Sequence, residues 1–418
     1  MAGSKTQGPN KWLQLAALGT VPLIMVLGNS MLIPVLPDMG RELGLGKSVT
    51  GLAVTAFSFS AGIGTVVAGF LADQYGRKVV IVPSLLIYGL GGVISGLGGW
   101  LLGENGFVVI MAGRVVQGLG ASGTGPVAMA FVGDLFSGGK QVTAQGILEA
   151  SNGLGKVVSP LLGALIGALF VWWAVFFAYA ALSLPFALAV WLLTREPQRQ
   201  KAAGAKAYFG ALGQVFKQKG MPLVACFWAG TVALFILFGL LFFLSEYLES
   251  EYGIADLPKG VLIMWPVLAM SVTSLGAGLF LESHQQLLKP AVVAGLALLI
   301  AGTGLVAIVP RDWAFFTGII VAGMGTGLQL PGLGNLITYA AGTGQRAGIT
   351  SIYGAVRFFG VALGPPLYGW LMQISDTLPF WVSAGLAAVT LAIAVGLIDP
   401  QKLVGGGSKV PEWQVPEV

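Results

Sequence analysis

The sequence predicts an all-α polytopic membrane protein with twelve spanning helices in two similar six-helix halves. Three observations carry this. Only 9% of the 418 residues are charged and 56% are hydrophobic, whereas a soluble domain carries about 25% charged residues. Apolar runs of about 20 residues, enough for a helix to cross a hydrocarbon core about 30 Å thick, recur along the chain. Segments of the first half also reappear at matching places in the second. The composition excludes an ordinary soluble enzyme. A mean hydropathy of +0.84 excludes disorder, because disordered chains are polar and charged. The 64 glycines follow no G-X-Y period, which excludes collagen. A single cysteine, Cys226, and a single histidine, His284, leave no disulfide, cysteine cluster or multi-histidine metal site.

The runs fall at about 12–36, 49–72, 79–102, 106–132, 141–170, 172–194, 221–245, 257–281, 290–309, 313–340, 347–372 and 378–398. The first follows Lys5 and Lys11, is too long for a signal peptide and has no cleavage site. Only a short break around Val171–Trp173 separates the fifth from the sixth. Basic residues set the orientation. With the N-terminus inside, the inner segments hold Lys5, Lys11, Arg77, Lys78, Lys140, Arg195, Arg199, Lys201, Lys206, Lys217, Lys219, Lys289, Arg346, Lys402 and Lys409. The outer loops hold only Arg41, Lys47, Lys259 and Arg311. The net charge of +5 is therefore a topology signal, and nucleic acid is not needed to explain it. The expected place is the plasma membrane, multi-pass, with both termini cytoplasmic.

The organisation expected is an N-terminal half at 1–194, a basic cytoplasmic linker at 195–220 lying on an anionic leaflet, a C-terminal half at 221–400 and a flexible tail at 401–418. The tail contains Gly405-Gly-Gly-Ser408, a linker composition. Gly69-Phe-Leu-Ala-Asp73 closes the second run and Gly278-Leu-Phe-Leu-Glu282 the eighth. Gly155 with Pro160 in the fifth run is echoed by Gly360 with Pro365 in the eleventh. Paired halves of this kind place a transporter's substrate site at the midplane.

The ten residues Gly69-Phe-Leu-Ala-Asp73-Gln74-Tyr-Gly76-Arg77-Lys78 join the second and third runs. Gly69 permits close helix contact, Gly76 a tight turn, and Asp73 with Arg77 and Lys78 supplies a charge cluster that can switch between states. This stretch resembles the loop signature of the major facilitator superfamily, although the usual Arg after the Asp is Gln74. Arg114-Val-Val-Gln117-Gly118 resembles a motif of proton-coupled members. Gly146, Gly155, Ser159-Pro160 and Gly163 are similar to the Gly-rich antiporter motif, whose glycines are replaced here by Ser159 and Ala164. Ile33-Pro34-Val35-Leu36-Pro37 resembles the twelve-helix drug–proton antiporter branch. The resemblance covers about 12–398. It implies a major-facilitator fold, alternating access between the halves, export driven by proton entry, and gating roles for Gly69, Asp73, Gly76, Arg77, Lys78, Gly155, Pro160 and Gly163.

Gly118-Leu-Gly-Ala-Ser-Gly123 imitates a dinucleotide fingerprint but lies in an apolar helix with no preceding strand. Gly46-Lys47-Ser48 imitates a P-loop but has Arg41 where the first Gly belongs. With no cofactor and no nucleotide site, a proton gradient is the expected drive.

Four ionisable residues fall well inside the runs: Arg114, Glu149, Lys156 and Arg357. Each costs about 2.5–3.5 kcal/mol at a helix centre on insertion scales, so such groups face a cavity or each other. Glu149, Asn152 and Lys156 share one helix face, with Glu149 and Lys156 about 10 Å apart along the axis. Glu149 is the expected proton carrier, with Arg114 as its electrostatic partner. The family's buried acid in helix one is missing here; Asn29 stands there instead. Asn29, Asn152, Lys156, Gln329, Tyr353 and Arg357 are candidate substrate contacts. The three cations and Glu149 sum to +2, which suits an anionic or zwitterionic headgroup. Trp172, Trp173, Phe176 and Phe177 read as an outer aromatic belt.

The expected activity is proton-coupled export of small amphipathic molecules such as drugs, by a monomer in the lipid bilayer. A lipid or glycolipid flippase is the alternative. A membrane-embedded enzyme is disfavoured, because no Ser/His, His/Asp or metal constellation lies in the runs.

Overall fold

The computed structural model describes residues 10–136, 139–196, 205–309, 311–341 and 346–404. Lys5, Arg199, Lys201, Lys409 and the Gly405–Ser408 stretch lie outside the described residues. Among those described there are helices and no strands. Ten stretches are helices long and apolar enough to cross a membrane. One of them, Arg77–Leu135, holds two spans, 77–102 and 107–135, and Arg346–Leu371 is a further 26-residue helix with Arg357 in its middle. Twelve spans result, as the apolar runs predict.

The N-terminal half contains α1 (Lys11–Ser30), α2 (Lys47–Tyr75), α3 (Arg77–Leu102), α4 (Phe107–Ser122), α5 (Gly139–Leu169) and α6 (Ala174–Leu193). The C-terminal half contains α7 (Ala205–Tyr252), α8 (Asp256–Ser283), α9 (Leu288–Ile308), α10 (Asp312–Ala340), α11 (Arg346–Leu371) and α12 (Leu378–Leu397).

Two runs and the linker differ from the expectation. After α1 the chain passes through a 3₁₀ turn at Ile33–Val35 into a short helix, Leu36–Glu42. Pro34 and Pro37 have no N–H to continue the α-helical ladder. After α4 the helix breaks and restarts as Gly125–Leu135, with Pro126 in its first turn. In the third case the expected linker is partly helical. Helix begins at Ala205 and is interrupted at Gly220, whose φ of +52° suits a residue without Cβ.

Both halves close one seam the same way. In α3 and α4, a Cβ added at Gly91 would lie 2.3 Å from the Gln117 nitrogen, and one at Gly120 2.3 Å from that of Tyr88. In α9 and α10, Gly295 faces Gly325 and Gln329, and Gly302 faces Gly318 and Ala322. Apolar tails attract lipid as well as they attract each other, so backbone approach at small residues drives association in a membrane. Gln117 and Gln329 occupy matching places in the two halves.

The molecule has a basic end and a far end. At the basic end, Lys11 Nζ donates to Leu135 O at 2.5 Å and Lys78 Nζ to Thr194 O at 2.8 Å. The halves meet mainly along α2 and α11. Gly51 abuts Pro365 and Pro366, Gly62 abuts Ala355 and Phe359, and Gly69 lies 3.2 Å from Ser351 Oγ when given a Cβ. Thr55 Oγ1 donates to Ala362 O at 2.6 Å. Gly260 of α8 likewise sits against Pro160 and Ala164 of α5.

The aromatic-belt expectation is corrected at two positions. Trp172 is 3% exposed and Phe176 is fully buried. The Trp172 indole N–H donates to Glu42 Oε2 at 2.7 Å, and the Phe176 ring packs on Trp172 and Tyr179. Both rings therefore fill the interior of the N-terminal half.

Candidate functional site

Helix α5 has two working faces. Gly155 rests on α1 and Gly163 on the residue that ends it: an added Cβ would meet Leu23 O at 3.2 Å and Met31 O at 2.0 Å. Pro160 faces α8. These three expected gating residues thus lie at helix seams. The other face carries Glu149, Gly153 and Lys156 at i, i+4 and i+7. Glu149 is exposed, Asn152 and Lys156 are half-buried, and a Cβ at Gly153 would meet nothing within 4 Å. Open space therefore fronts this face.

On α11, Arg357 is half-buried and its guanidinium lies 5.2 Å from the centre of the Tyr353 ring. Tyr353 in turn packs against Phe227 at 5.6 Å. A Cβ at Gly354, one turn from Arg357, also meets nothing within 4 Å. Glu149 and Arg357 are the charged groups near enough to act on the Lys156 ammonium. Glu149 and Lys156 of the N-terminal half and Arg357 of the C-terminal half are thus near enough to interact. Asn152 Oδ1, Tyr353 Oη and Arg357 Nε are buried without a hydrogen-bond partner in the protein. Buried polar atoms are normally paired, so these suit a solute or water.

Three expected contacts fall elsewhere. Arg114 is 0% exposed and does not meet Glu149. Its Nε donates to Ala53 O at 2.9 Å, Nη1 to Gly28 O at 2.8 Å and to Gln117 Oε1 at 2.7 Å, and Nη2 to Asn29 Oδ1 at 2.8 Å. The Phe57 ring covers the guanidinium at 4.4 Å. With four acceptors held, Arg114 is the tie between α1, α2 and α4. Asn29 is committed to that tie, since its Nδ2 also donates to Ser58 Oγ at 2.7 Å. Gln329 is fully buried in the α9–α10 seam against Gly295, with neither amide atom paired.

The loop signature folds into a compact ionic corner at the basic end. Asp73 Oδ1 lies 2.6 Å from Arg77 Nη1, and Asp134 Oδ2 lies 3.3 Å from Arg77 Nε. The Glu196 carboxylate accepts from the backbone N–H of Arg77 at 2.6 Å and of Lys78 at 2.8 Å, capping the start of α3 as an acid at a helix N-terminus should. Gly76 has φ +115°, and its added Cβ would sit 3.1 Å from that carboxylate. Gly76→Ala is therefore expected to lower stability by about 1–3 kcal/mol, read as earlier thermal unfolding of the purified protein and faster proteolysis near residue 76. An unchanged transition would show that Glu196 does not hold this corner.

The far end carries a network that the sequence reading passed over. Lys259 Nζ lies 2.6 Å from Glu249 Oε2 and 4.0 Å from Asp38 Oδ2. Arg41 pairs with both Asp38 and Glu249, and Lys47 lies 3.9 Å from Glu246. Asp38, Arg41 and Lys47 belong to the N-terminal half, and Glu246, Glu249 and Lys259 to the C-terminal half. Ser245 Oγ also donates to Ile33 O across the same boundary at 2.9 Å. The signal was present in the sequence: Arg41, Lys47 and Lys259 are bases on the side where bases are scarce.

A polytopic chain of two similar helical halves, with ionisable groups inside the spans of both, has the build of a membrane transporter. The family model of the Major Facilitator Superfamily matches residues 18–283 and 243–414, and the chain belongs to that superfamily. It is 37% identical to the bacillibactin exporter of Bacillus subtilis (strain 168), covering 93% of this chain and 97% of that one. It is 26% identical to multidrug resistance protein 1 of the same organism, covering 93% and 96% respectively. A solved bacterial homologue of the human lysosomal transporter Spinster, inward-facing and unoccupied, superposes with a TM-score of 0.70 at 17% identity, covering 96% of this chain and 94% of that one. The human organic anion transporter MFSD10 does so at 0.69 and 18%, covering 92% and 100%.

Proposed function

We propose that the protein is a proton-coupled secondary exporter of small amphipathic molecules, working by alternating access as a monomer in the plasma membrane. In this reading the basic end and both termini are cytoplasmic, and the proton gradient drives transport with no bound cofactor. The observation that carries it is the Glu149–Lys156–Arg357 group, ionisable residues inside the spans of both halves and near enough to act on one another. The names of the relatives support the outward direction, because they include an exporter and a resistance protein.

Glu149 is the one carboxylate in that group, so it is the group that takes up the proton. Its electrostatic partners are Lys156 and Arg357, with Arg114 confined to a structural role. In proteoliposomes, Glu149→Gln is expected to reduce pH-gradient-driven transport about tenfold or more, a coupling loss of at least about 1.4 kcal/mol. Counterflow without a gradient should persist. Undiminished gradient-driven transport would overturn the assignment. The net-positive space also favours a lipid headgroup as cargo; directional movement of a labelled lipid in the same vesicles would identify a flippase instead.

A further inference from the structure

We propose that a zwitterionic phospholipid of the far leaflet occupies a site on the outside of the C-terminal half. One acyl chain fills a cavity between α7, α8 and α10. The phosphate meets Arg311, and the cationic headgroup meets Asp312 and Glu251. Nothing at this site involves Glu149 or the proton.

The cavity follows from how the helices converge. Midway along their length α8 and α10 touch at the backbone: a Cβ added at Gly323 would lie 2.4 Å from Pro266 O, and one at Gly327 2.2 Å from Met270 O. Toward the far end the seam carries large side chains instead, and the helices leave a cavity of about 190 Å³. Leu244 of α7, Leu262 and Trp265 of α8, and Phe316, Ile319 and Ile320 of α10 line it. An apolar cavity of about 150 Å³ stays dry and takes up benzene, so this one suits hydrocarbon. Leu244 and Ile319 are buried at its back, and Trp265 is 48% exposed at its mouth. Val261 and Leu257, one and two turns before Trp265, are exposed as well, so the mouth opens on lipid. Phe316 and Ile320 lie about 6 and 12 Å along α10 from Asp312. That is the depth at which acyl chains begin in a hydrocarbon core about 30 Å thick.

The rim above the cavity is charged. Asp312, Phe316, Ile319 and Ile320 are spaced i, i+4, i+7 and i+8, so Asp312 stands over the cavity on α10. Glu251 and Tyr252 follow Leu244 by seven and eight positions and stand over it on α7. Tyr252 Oη donates to Asp312 Oδ1 at 2.6 Å and joins the two helix ends. Beside Asp312, Arg311 is exposed at the start of α10. Of the four bases expected in the outer loops, Arg41, Lys47 and Lys259 are tied into the network between the halves. No carboxylate lies within ion-pair distance of Arg311 among the described residues. Two acids and one unpaired base at the mouth complement a headgroup with one phosphate and one cation. A guanidinium binds phosphate as a planar fork, through charge-assisted contacts. The cation is drawn to both acids, and the Tyr252 ring between them attracts a quaternary ammonium. An anionic headgroup meets the repulsion of both acids, and a lipid without phosphate leaves Arg311 unused.

Native mass spectrometry of the delipidated full-length protein in detergent tests this with three lipids that share their acyl chains: phosphatidylcholine, phosphatidylglycerol and diacylglycerol. The first phosphatidylcholine is expected to bind about tenfold tighter than either of the others. Ile320→Trp and Leu262→Trp, which fill the cavity, should each weaken it about tenfold. Leu275→Trp, at an exposed position of α8 outside the cavity, should leave it unchanged. Arg311→Gln should remove the preference over diacylglycerol, and Asp312→Asn with Glu251→Gln the preference over phosphatidylglycerol. All three rim positions are exposed, so these variants keep their fold, and thermal unfolding without lipid checks the two cavity variants. The site is refuted if the cavity variants bind phosphatidylcholine as Leu275→Trp does, or if no lipid is retained. Equal binding of phosphatidylglycerol, or indifference to Arg311→Gln, refutes the headgroup assignment. Displacement of phosphatidylcholine by dodecyltrimethylammonium at lower concentration, unaffected by Arg311→Gln, would replace the phospholipid with an amphipathic cation.

Discussion

Lys259→Met is expected to open the far end. Lys259 is 1% exposed and its ammonium lies 2.6 Å from Glu249, inside a network that spans the two halves. Removing one partner of a buried pair costs about 3–5 kcal/mol, because the other charge remains buried without compensation. Arg41 still reaches Glu249, which puts the cost at the lower end of that range. The penalty falls only on the state in which the far ends touch, since parting them returns Glu249 to water. About 3 kcal/mol then shifts the balance between closed and open far ends more than a hundredfold. Spin labels at Leu102→Cys and Trp313→Cys, both exposed positions near that end, would report the change as a longer distance population. Cys226 is buried and so is a weak competitor for the label. The double exchange Lys259→Glu with Glu249→Lys should restore the short distance in part. Unchanged distances in Lys259→Met would show that Lys259 does not hold the far end shut.

The twelve spans were legible because each is a run of apolar residues, and hydropathy is a local property. The breaks in the spans at Pro34 and at Gly123–Thr124 were also local, yet the apolar runs 12–36 and 106–132 continue through them and hide them. What escaped was pairing. Arg114, Glu149, Lys156 and Arg357 stood out as costly charges, but cost does not say which group repays it. Lys156 and Arg357 act on each other from different halves, whereas Arg114 finds its partners in two backbone carbonyls and two amides. Carbonyls are present at every residue, so no side-chain pattern marks the ones Arg114 uses. Trp172 shows the same limit. Its type and position suited an interfacial belt, and only the fold brings Glu42 to its indole. Lys259 read as a topological exception for the opposite reason, since its acid partners lie at distant points in the chain.

Arg114→Leu is expected to destabilise the N-terminal half more than any substitution in the central space. It leaves Gly28 O, Ala53 O, Asn29 Oδ1 and Gln117 Oε1 without their donor. In a soluble core each orphaned group would cost about 1–3 kcal/mol. In a bilayer the unfolded helices also find partners, and measured contributions average about 0.6 kcal/mol per hydrogen bond. Four lost bonds, with the guanidinium removed from beneath Phe57, still amount to about 2–4 kcal/mol by the membrane figure. Arg114→Lys should recover little, because an ammonium has three donors and no planar fork, while the acceptors lie on three different helices. The expected result is an earlier thermal transition in both variants, with transport lost in proportion to the folded fraction. A proton-coupling role for Arg114 makes the opposite forecast: normal unfolding with an altered pH dependence of transport. The two outcomes separate a tie between α1, α2 and α4 from a partner of Glu149, and the hydrogen-bond geometry favours the tie.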